Sequence, residues 1–312
     1  MSPELTAAVA LELASHCGGQ RNAAAALSAH CRAGDRSDSS IDLAAYLTVR
    51  LPATYAAAAR VLAEVRLARP GFAPASLLDA GCGPGTASWA AAAAWPQLAG
   101  ITMLDANARF LALAGRLAIN GAPAMAAARL VRGDILSLGN DNRASLVVAS
   151  YALAEISTGM LDVAADRLWQ AAEDILVLVE PSTPAGFGRL RRVRDRLLRA
   201  GAVPVAPCPH ALACPMTGAD WCHFSVRLAR SRAHMHAKQA QVPFEDEPFA
   251  YLALARQGTP TGAARILAPP RTAKPGITFK LCTEKGLEQR HVARRDAPLY
   301  KKARKRQWGD VW

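Results

Sequence analysis

The sequence predicts a doubly wound α/β fold: a parallel sheet with helices on both faces. Three observations carry this expectation. Short, continuous apolar runs alternate with stretches of helical periodicity between Ser76 and Pro181, the pattern of strands buried on both faces. Each run ends on acidic or polar residues, as at Asp105, Gly133-Asp134, Ser150-Tyr151 and Glu180-Pro181, and the carboxyl ends of such strands are where open α/β sheets bind ligands. A glycine-rich loop, Asp79-Ala-Gly-Cys-Gly-Pro-Gly85, stands between the first run and the helix after it.

The elements follow in order. Leu5, Val9, Leu11 and Leu13 predict an opening helix. A polar break at Gly34 to Ser40 precedes a second helical stretch from Leu43 to Leu67, interrupted near Pro52. Leu77-Leu78 begins the sheet and leads through the glycine loop into an alanine-rich helix, Thr86 to Ala94. Ile101 to Leu104 is a strand, Ala108 to Asn120 a helix, and Leu130-Val131 and Leu146 to Ala149 are strands. The helix Met160 to Glu173 precedes the strand Ile175 to Val179, and an arginine-rich helix spans Arg189 to Arg199. Gly201 to Cys222 is rich in proline and cysteine with little periodicity. Phe249 to Leu254 and Ile277 to Leu281 read as strands, and a basic tail, Arg290 to Arg306, precedes Trp308 and Trp312.

With 312 residues the chain can bury a sizeable core. Its longest uncharged run, between Asp79 and Asp105, is broken by glycines and prolines and is no spanning helix. Glu4 and Glu12 stand where a secretory signal would need basic residues. A cytoplasmic protein, monomeric and free of membrane, is the expectation. The net charge of +12 is one-sided: residues 1–188 carry 13 basic and 16 acidic side chains, a net −3, and residues 189–312 carry 24 and 9, a net +15. Such asymmetry points to a polyanionic partner, nucleic acid or a membrane surface, nucleic acid above all.

Glycines in a strand–loop–helix turn let the backbone approach a ligand beside a helix N-terminus. Asp105 follows Asp79 by 26 positions, at the end of the next strand, where an acid can accept both ribose hydroxyls. The last glycine falls one residue earlier than in the dinucleotide fingerprint, and an acid at the loop's start suits a cofactor with a cationic amino-acid end. That favours S-adenosylmethionine over NAD. The loop resembles the first motif of class I methyltransferases. By that resemblance Asp79, Gly81, Gly83 and Gly85 line the cofactor, Asp105 holds the ribose and Asp134 lies by the adenine. Asp134 also has a simpler reading as the turn residue of a Gly-Asp pair, and Cys82 reads as a small loop filler. The stretch Ala149-Ser-Tyr-Ala-Leu-Ala-Glu155 lacks the Asn/Asp-Pro-Pro-aromatic loop of amine methylation and a Pro-Cys nucleophile, and no lysine precedes Lys238. Tyr151 and Glu155 are the polar groups available there, with core and helix-start roles as the alternative, and catalytic residues stay unassigned.

Of the seven cysteines, Cys17 and Cys31 read as ordinary buried residues. Cys208, Cys214 and Cys222, spaced by five and seven residues, with Cys282 at the end of a late strand, suggest a metal site in a reducing compartment. Four thiolates can hold zinc or an iron–sulfur cluster, and His210 or His223 could replace one of them in a zinc site.

Several segments together carry a wider resemblance: Leu51-Pro-Ala-Thr-Tyr55, Glu180-Pro-Ser-Thr-Pro-Ala-Gly-Phe187, Pro207-Cys-Pro-His210 with Cys214-Pro215, Asp220 to Arg232, Phe244 to Arg256 and Trp308-Gly-Asp-Val-Trp312. The chain resembles the methyltransferase-like assembly factors of the mitochondrial small ribosomal subunit and their bacterial relatives. Ser182, in place of a glycine, is a mild departure. The resemblance implies a class I methyltransferase (Rossmann-like) sheet with N-terminal helices and a cysteine-rich metal-binding insertion. It implies a 4Fe-4S cluster on Cys208, Cys214, Cys222 and Cys282, and engagement of small-subunit rRNA during assembly. The corresponding division is an N-terminal helical region at 1–70 and an S-adenosylmethionine-binding core at 71–200. A cysteine-rich insertion at 201–248 follows, then terminal strands of the sheet and a basic tail at 249–312. Two functions fit: methylation of small-subunit rRNA, or a non-catalytic iron–sulfur assembly factor that binds it. The basic half, interleaved with Trp221, Phe224, Tyr300 and Trp308, argues against a small-molecule methyltransferase, since phosphate contacts dominate RNA affinity.

Overall fold

The computed structural model describes residues 1–14 and 42–312. Cys17, Cys31 and the expected break at Gly34 to Ser40 lie outside the described residues. Helix α1 (Pro3–Ala14) opens the chain. Asp42 caps a short turn, Leu43–Ala45, by accepting the amides of Ala44 and Ala45. A π-helical turn (Tyr46–Arg50) leads into α2 (Leu51–Ala68). The expected interruption is this π turn, and it precedes Pro52. The proline sits in the first turn of α2, where its missing amide costs nothing.

The sheet follows: β1 (Ser76–Ala80), α3 (Thr86–Ala94), β2 (Gly100–Asp105), α4 (Ala108–Ala118), β3 (Arg129–Arg132), β4 (Ala144–Ser150), α5 (Leu161–Ala171), β5 (Ala172–Pro181) and α6 (Pro184–Arg199). Then come β6 (Val203–Ala206), β7 (Phe224–Ala229), α7 (Arg232–Ala237) and β8 (Phe244–Ala255). The strand order is β3-β2-β1-β4-β5-β8-β6, with β7 also paired to β8. The first five strands are parallel. β8 runs antiparallel to β5, β6 and β7, so the sheet is mixed where the sequence predicts a parallel one. Along β5, alternate side chains enter opposite cores: Ile175, Val177 and Val179 face one, and Leu176 and Leu178 the other. Burial on both faces is why these strands read as unbroken apolar runs.

The late strands depart further from expectation. β8 joins the main sheet, but β11 (Gly276–Thr283) does not. With β9 (Arg265–Ile266), β10 (Arg271–Ala273) and β12 (Gly286–Ala293) it forms a second, antiparallel sheet. The basic "tail" is ordered secondary structure, made of the end of β12 and helix α8 (Ala297–Ala303). Ile266, Ile277, Phe279, Leu281, Val292 and Ala303 bury the small sheet's own core, with Trp312 against it. The second sheet is fastened to α2 by Arg265, which is 3% exposed. Its guanidinium donates to Glu64 (2.7 Å), to the Gly309 carbonyl (2.6 Å) and to the Pro207 carbonyl (3.1 Å). Among the described residues no helix is long and apolar enough to cross a membrane.

Candidate functional site

The glycine loop follows β1 and is stitched to the end of β2. The amides of Gly81 and Cys82 donate to the Leu104 carbonyl (2.8 and 3.0 Å). The amide of Gly83 donates to Asp105 Oδ2 at 2.6 Å, while Asp105 Oδ1 accepts the amide of Asn107 at 2.8 Å. Asn107 in turn caps α4. Gly81, Gly83 and Gly85 all have positive φ (73°, 54° and 80°). A Cβ on Gly81 would lie 2.6 Å from Ala152 Cβ, so the loop after β4 passes too close for any side chain. Among the described residues, a Cβ built at Gly83 would meet one atom within 4 Å, the Tyr46 hydroxyl at 3.8 Å. Gly83 thus presents bare backbone to a space, as a ligand-approach glycine must.

Asp79 takes a role that the sequence does not reveal. It is 1% exposed, and its Oδ2 accepts both the amide (2.9 Å) and the hydroxyl (2.7 Å) of Ser88. Helix α3 begins at Gly85, which has no side chain to cap it, so the carboxylate from β1 supplies the cap. Asp79 Oδ1 is buried and has no hydrogen-bond partner among the described residues. Burial pushes this carboxyl up to about 7, against the two Ser88 bonds. Asp134 closes a 3₁₀ turn, Ile135–Ser137, by accepting the Leu136 amide at 2.9 Å. It stands at the end of β3, where the Gly133 amide donates to the Asp105 carbonyl at 3.1 Å, so it serves as the turn residue of the Gly-Asp pair. Burial and the nearby Asp79 and Asp105 push the Cys82 thiol well up, which makes it a filler rather than a nucleophile.

Past β4, Tyr151 has φ 60°. Its hydroxyl donates to Glu247 Oε1 at 3.4 Å, and the Arg50 guanidinium lies 4.5 Å from its ring centre. Arg50 also pairs with Glu247 at 2.9 Å. Glu155 stands in a short 3₁₀ turn, Leu153–Glu155, and is exposed.

The structure brings the four late cysteines together. Cys208, Cys214, Cys222 and Cys282 are free thiols lining one cavity of about 40 Å³. The first three come from the segment between β6 and β7, and Cys282 from β11. Burial pushes up Cys208, Cys222 and Cys282, the last to about 12, and neighbouring thiols add to the rise at all three. Two buried guanidiniums, Arg194 and Arg265, line the same cavity; Arg265 opposes the rise at all three thiols and Arg194 at Cys208 and Cys282. His210 also lines it, with Nε2 3.7 Å from Cys282 Sγ, and burial lowers its pKa. His223 instead stacks on Trp221 (5.2 Å) and meets Trp308 edge-on (5.0 Å). Among the described residues, no group of three or more His, Cys, Asp or Glu is spaced to hold a metal ion. The four thiols share a cavity without closing on one point.

The aromatics singled out as interleaved with basic charge mostly serve packing. Phe224 is buried against Phe249, Tyr251 and Trp308. Of the four, Tyr300 alone, with Arg294 5.8 Å from its ring centre, stands among the exposed cations. Trp312, which lies under Arg290 at 5.3 Å, is a second such aromatic.

The strand order, the antiparallel β8 and the glycine loop with an acid after β2 define a class I methyltransferase-like fold. Solved structures of that class share it only distantly. A magnesium protoporphyrin IX methyltransferase from Synechocystis PCC 6803 is 15% identical, with a TM-score of 0.44 over 66% of this chain and 80% of that one. A putative RNA methyltransferase from Pyrococcus horikoshii is 11% identical, with a TM-score of 0.42 over 64% and 81%. Likeness of this degree says nothing of ligand or reaction. The family described as mitochondrial small ribosomal subunit Rsm22 matches residues 40–312, and the chain belongs to it. The human protein "Ribosome assembly protein METTL17, mitochondrial" is 32% identical over 288 residues, 85% of this chain. The chain spans 61% of that relative's length.

Proposed function

We propose that this chain binds S-adenosylmethionine at the glycine loop and acts on the small ribosomal subunit during its assembly, holding small-subunit rRNA by its second sheet. The observation that carries the RNA contact is charge without partners. Between Arg271 and Arg306 stand twelve basic and three acidic side chains. All the basic ones except Lys280 are exposed. Lys280 pairs with Asp220, and the others form no ion pair among the described residues. A backbone of phosphates supplies the missing counter-charge. Membership of a small-ribosomal-subunit family, and a relative named for ribosome assembly, support the same partner.

The open face of Gly83 and the orphaned Oδ1 of Asp79 fit a cofactor with polar and cationic parts. Gly81, Gly83 and Gly85 shape the cradle, Asp105 accepts the ribose hydroxyls, and Asp134 stands by the adenine. When bound, S-adenosylmethionine supplies an electrophilic methyl group. The thiols of Cys208, Cys214, Cys222 and Cys282 are proposed to hold a 4Fe-4S cluster. Four thiolates around one cavity, beside two buried guanidiniums that offset their charge, suit a bulky anionic centre. Anaerobically isolated protein should be brown with broad visible absorbance, whereas a colourless protein with stoichiometric zinc would overturn the cluster.

A second reading, a non-catalytic assembly factor, is favoured by Tyr151, whose hydroxyl is engaged with Glu247 after β4. One experiment separates the two: mapping small-subunit rRNA modifications and subunit profiles in cells with and without the protein. A missing methyl group makes it an enzyme. Stalled small subunits with unchanged modifications make it an assembly factor, and unchanged subunits with unchanged modifications overturn the proposal.

A further inference from the structure

The open side of the glycine loop faces the π turn that precedes α2. A π turn inserts one residue into a helix, and such insertions concentrate at functional sites. Here the Leu51 amide bonds to the Tyr46 carbonyl, five residues back. Had the bond been α-helical, Tyr46 would point about 100° elsewhere around the axis. The π geometry instead sets its hydroxyl opposite Gly83, 3.8 Å from where a Cβ would stand. Its ring meets Phe110 edge-on, centroids 4.9 Å apart. Phe110 belongs to the first turn of α4, and its amide donates to the side chain of Asn107, whose own amide bonds to Asp105.

The far end of the turn is clamped. Arg50 pairs with Glu247 on β8 at 2.9 Å and covers the ring of Tyr151 after β4. Thr48 is buried and bonds back to the Ala44 carbonyl at 2.7 Å. The turn is thus fixed to the sheet's far half at one end and aimed at the glycine loop at the other. Between Tyr46, Gly83, Asp105 and Phe110 lie one phenol, one bare stretch of backbone, one carboxylate and one aromatic ring. Those groups match a nucleoside carrying a polar tail.

We infer that the π turn is the roof of the cofactor site and that Tyr46 binds the nucleoside cofactor through its hydroxyl, with Phe110 as the ring that holds the phenol in place. This rests on the cofactor reading above and adds to it a binding group from outside the sheet. It also assigns the N-terminal helices a role in binding as well as in packing.

The test is calorimetric titration of the full-length protein with S-adenosylhomocysteine. Tyr46→Phe keeps the ring and its contact with Phe110 and removes only the hydroxyl. It should weaken binding about tenfold with an unchanged melting temperature. Asp105→Asn should weaken binding as well and serves as the reference for the cradle. If the native protein binds and Tyr46→Phe binds equally well, Tyr46 is no ligand group and the roof is overturned while the cofactor reading stands. If the native protein does not bind, the cofactor reading itself falls. If Tyr46→Phe melts lower, Tyr46→His, which returns a polar group to the ring, distinguishes the cases: regained affinity supports the inference, and affinity no better than that of Tyr46→Phe overturns it.

Discussion

Two basic regions of the C-terminal half differ in almost every physical respect. Helix α6 carries Arg189, Arg191, Arg192, Arg194, Arg196 and Arg199, and each is answered from within the chain. Arg189 pairs with Glu180 and Arg192 with Asp162, both partners coming from the elements beneath. Arg196 pairs with Asp162 and Asp166. Arg194 donates to the carbonyls of His210 and Leu212 (3.0 and 2.7 Å), Arg191 to that of Met216 (3.3 Å), and Arg199 to that of Asp195 (3.0 Å). The stretch from Arg271 to Arg306, which runs from β10 through α8, carries twelve cations, and among the described residues a carboxylate answers one of them, Lys280. Counted along the sequence, both regions belong to the +15 half. Carboxylates pair with four of the six α6 arginines, Arg189, Arg192, Arg194 and Arg196. Most of the charge left for a partner therefore lies in the second region, and net charge locates a binding surface only after internal pairing is subtracted.

That contrast can be broken at several points. The largest effect should follow Arg194→Ala. The guanidinium is 3% exposed, and its removal strands two carbonyls beside the cysteine cavity. Denaturant titration should show destabilisation of about 3 kcal/mol. A change under about 0.5 kcal/mol would mean that these arginines do not hold the fold.

Next in size is the quadruple change of Lys301, Lys302, Arg304 and Lys305 to Gln. Affinity for small-subunit rRNA should drop at least tenfold at low salt, with stability unchanged. The salt slope should flatten by up to about 0.9 for each phosphate no longer neutralised. Deleting residues 294–306 would be a poorer probe, because it removes Ala303 from the small sheet's core. Unchanged affinity and slope in the quadruple variant would move the RNA-binding surface elsewhere. Arg196→Gln should change RNA affinity least of all, and a drop as large as that of the quadruple variant would erase the distinction between the two regions.

The smallest effect concerns pH. Burial pushes the carboxyls of Asp79 and Glu180 up to about 7, in Glu180 against its pairing with Arg189. The native state keeps these protons while the unfolded chain releases them near pH 4. Their contribution to stability therefore declines as pH rises from about 4 to about 7. Asp79→Asn should lose less stability than the native protein between pH 5 and pH 8 in urea titrations, and equal losses would show that Asp79 is ionised throughout.

Much of the parallel half was legible because β1 to β5 bury both faces and so leave unbroken apolar runs. Gly85 marked the start of α3 to the residue. The second sheet was not legible as a separate unit. Ile277 to Leu281 shows the alternation of any half-buried strand, and only its pairing with β9, β10 and β12 excludes it from the main sheet. β6, with Pro204 inside four residues, exists by virtue of β8. At the site, the glycines and Asp105 could be found from spacing. The capping role of Asp79 and the π turn at Tyr46 could not, since both depend on groups brought together from separate elements. A signal for the α6 pairs was present: Asp162 and Asp166 on α5 repeat at four residues, as do Arg192 and Arg196 on α6.

The placement of β8 has a consequence for the cysteine segment. β6 ends at Ala206, opposite Ala253, and β7 begins at Phe224, opposite Phe249. Four residues of one strand, about 13 Å, therefore separate the registers of the two ends of a loop that carries three thiols. The entropy of closing that loop is spent when the sheet forms. A centre bound there would meet thiols already gathered by strand pairing, and its affinity would depend more on that pairing than on the short-range spacing of the cysteines.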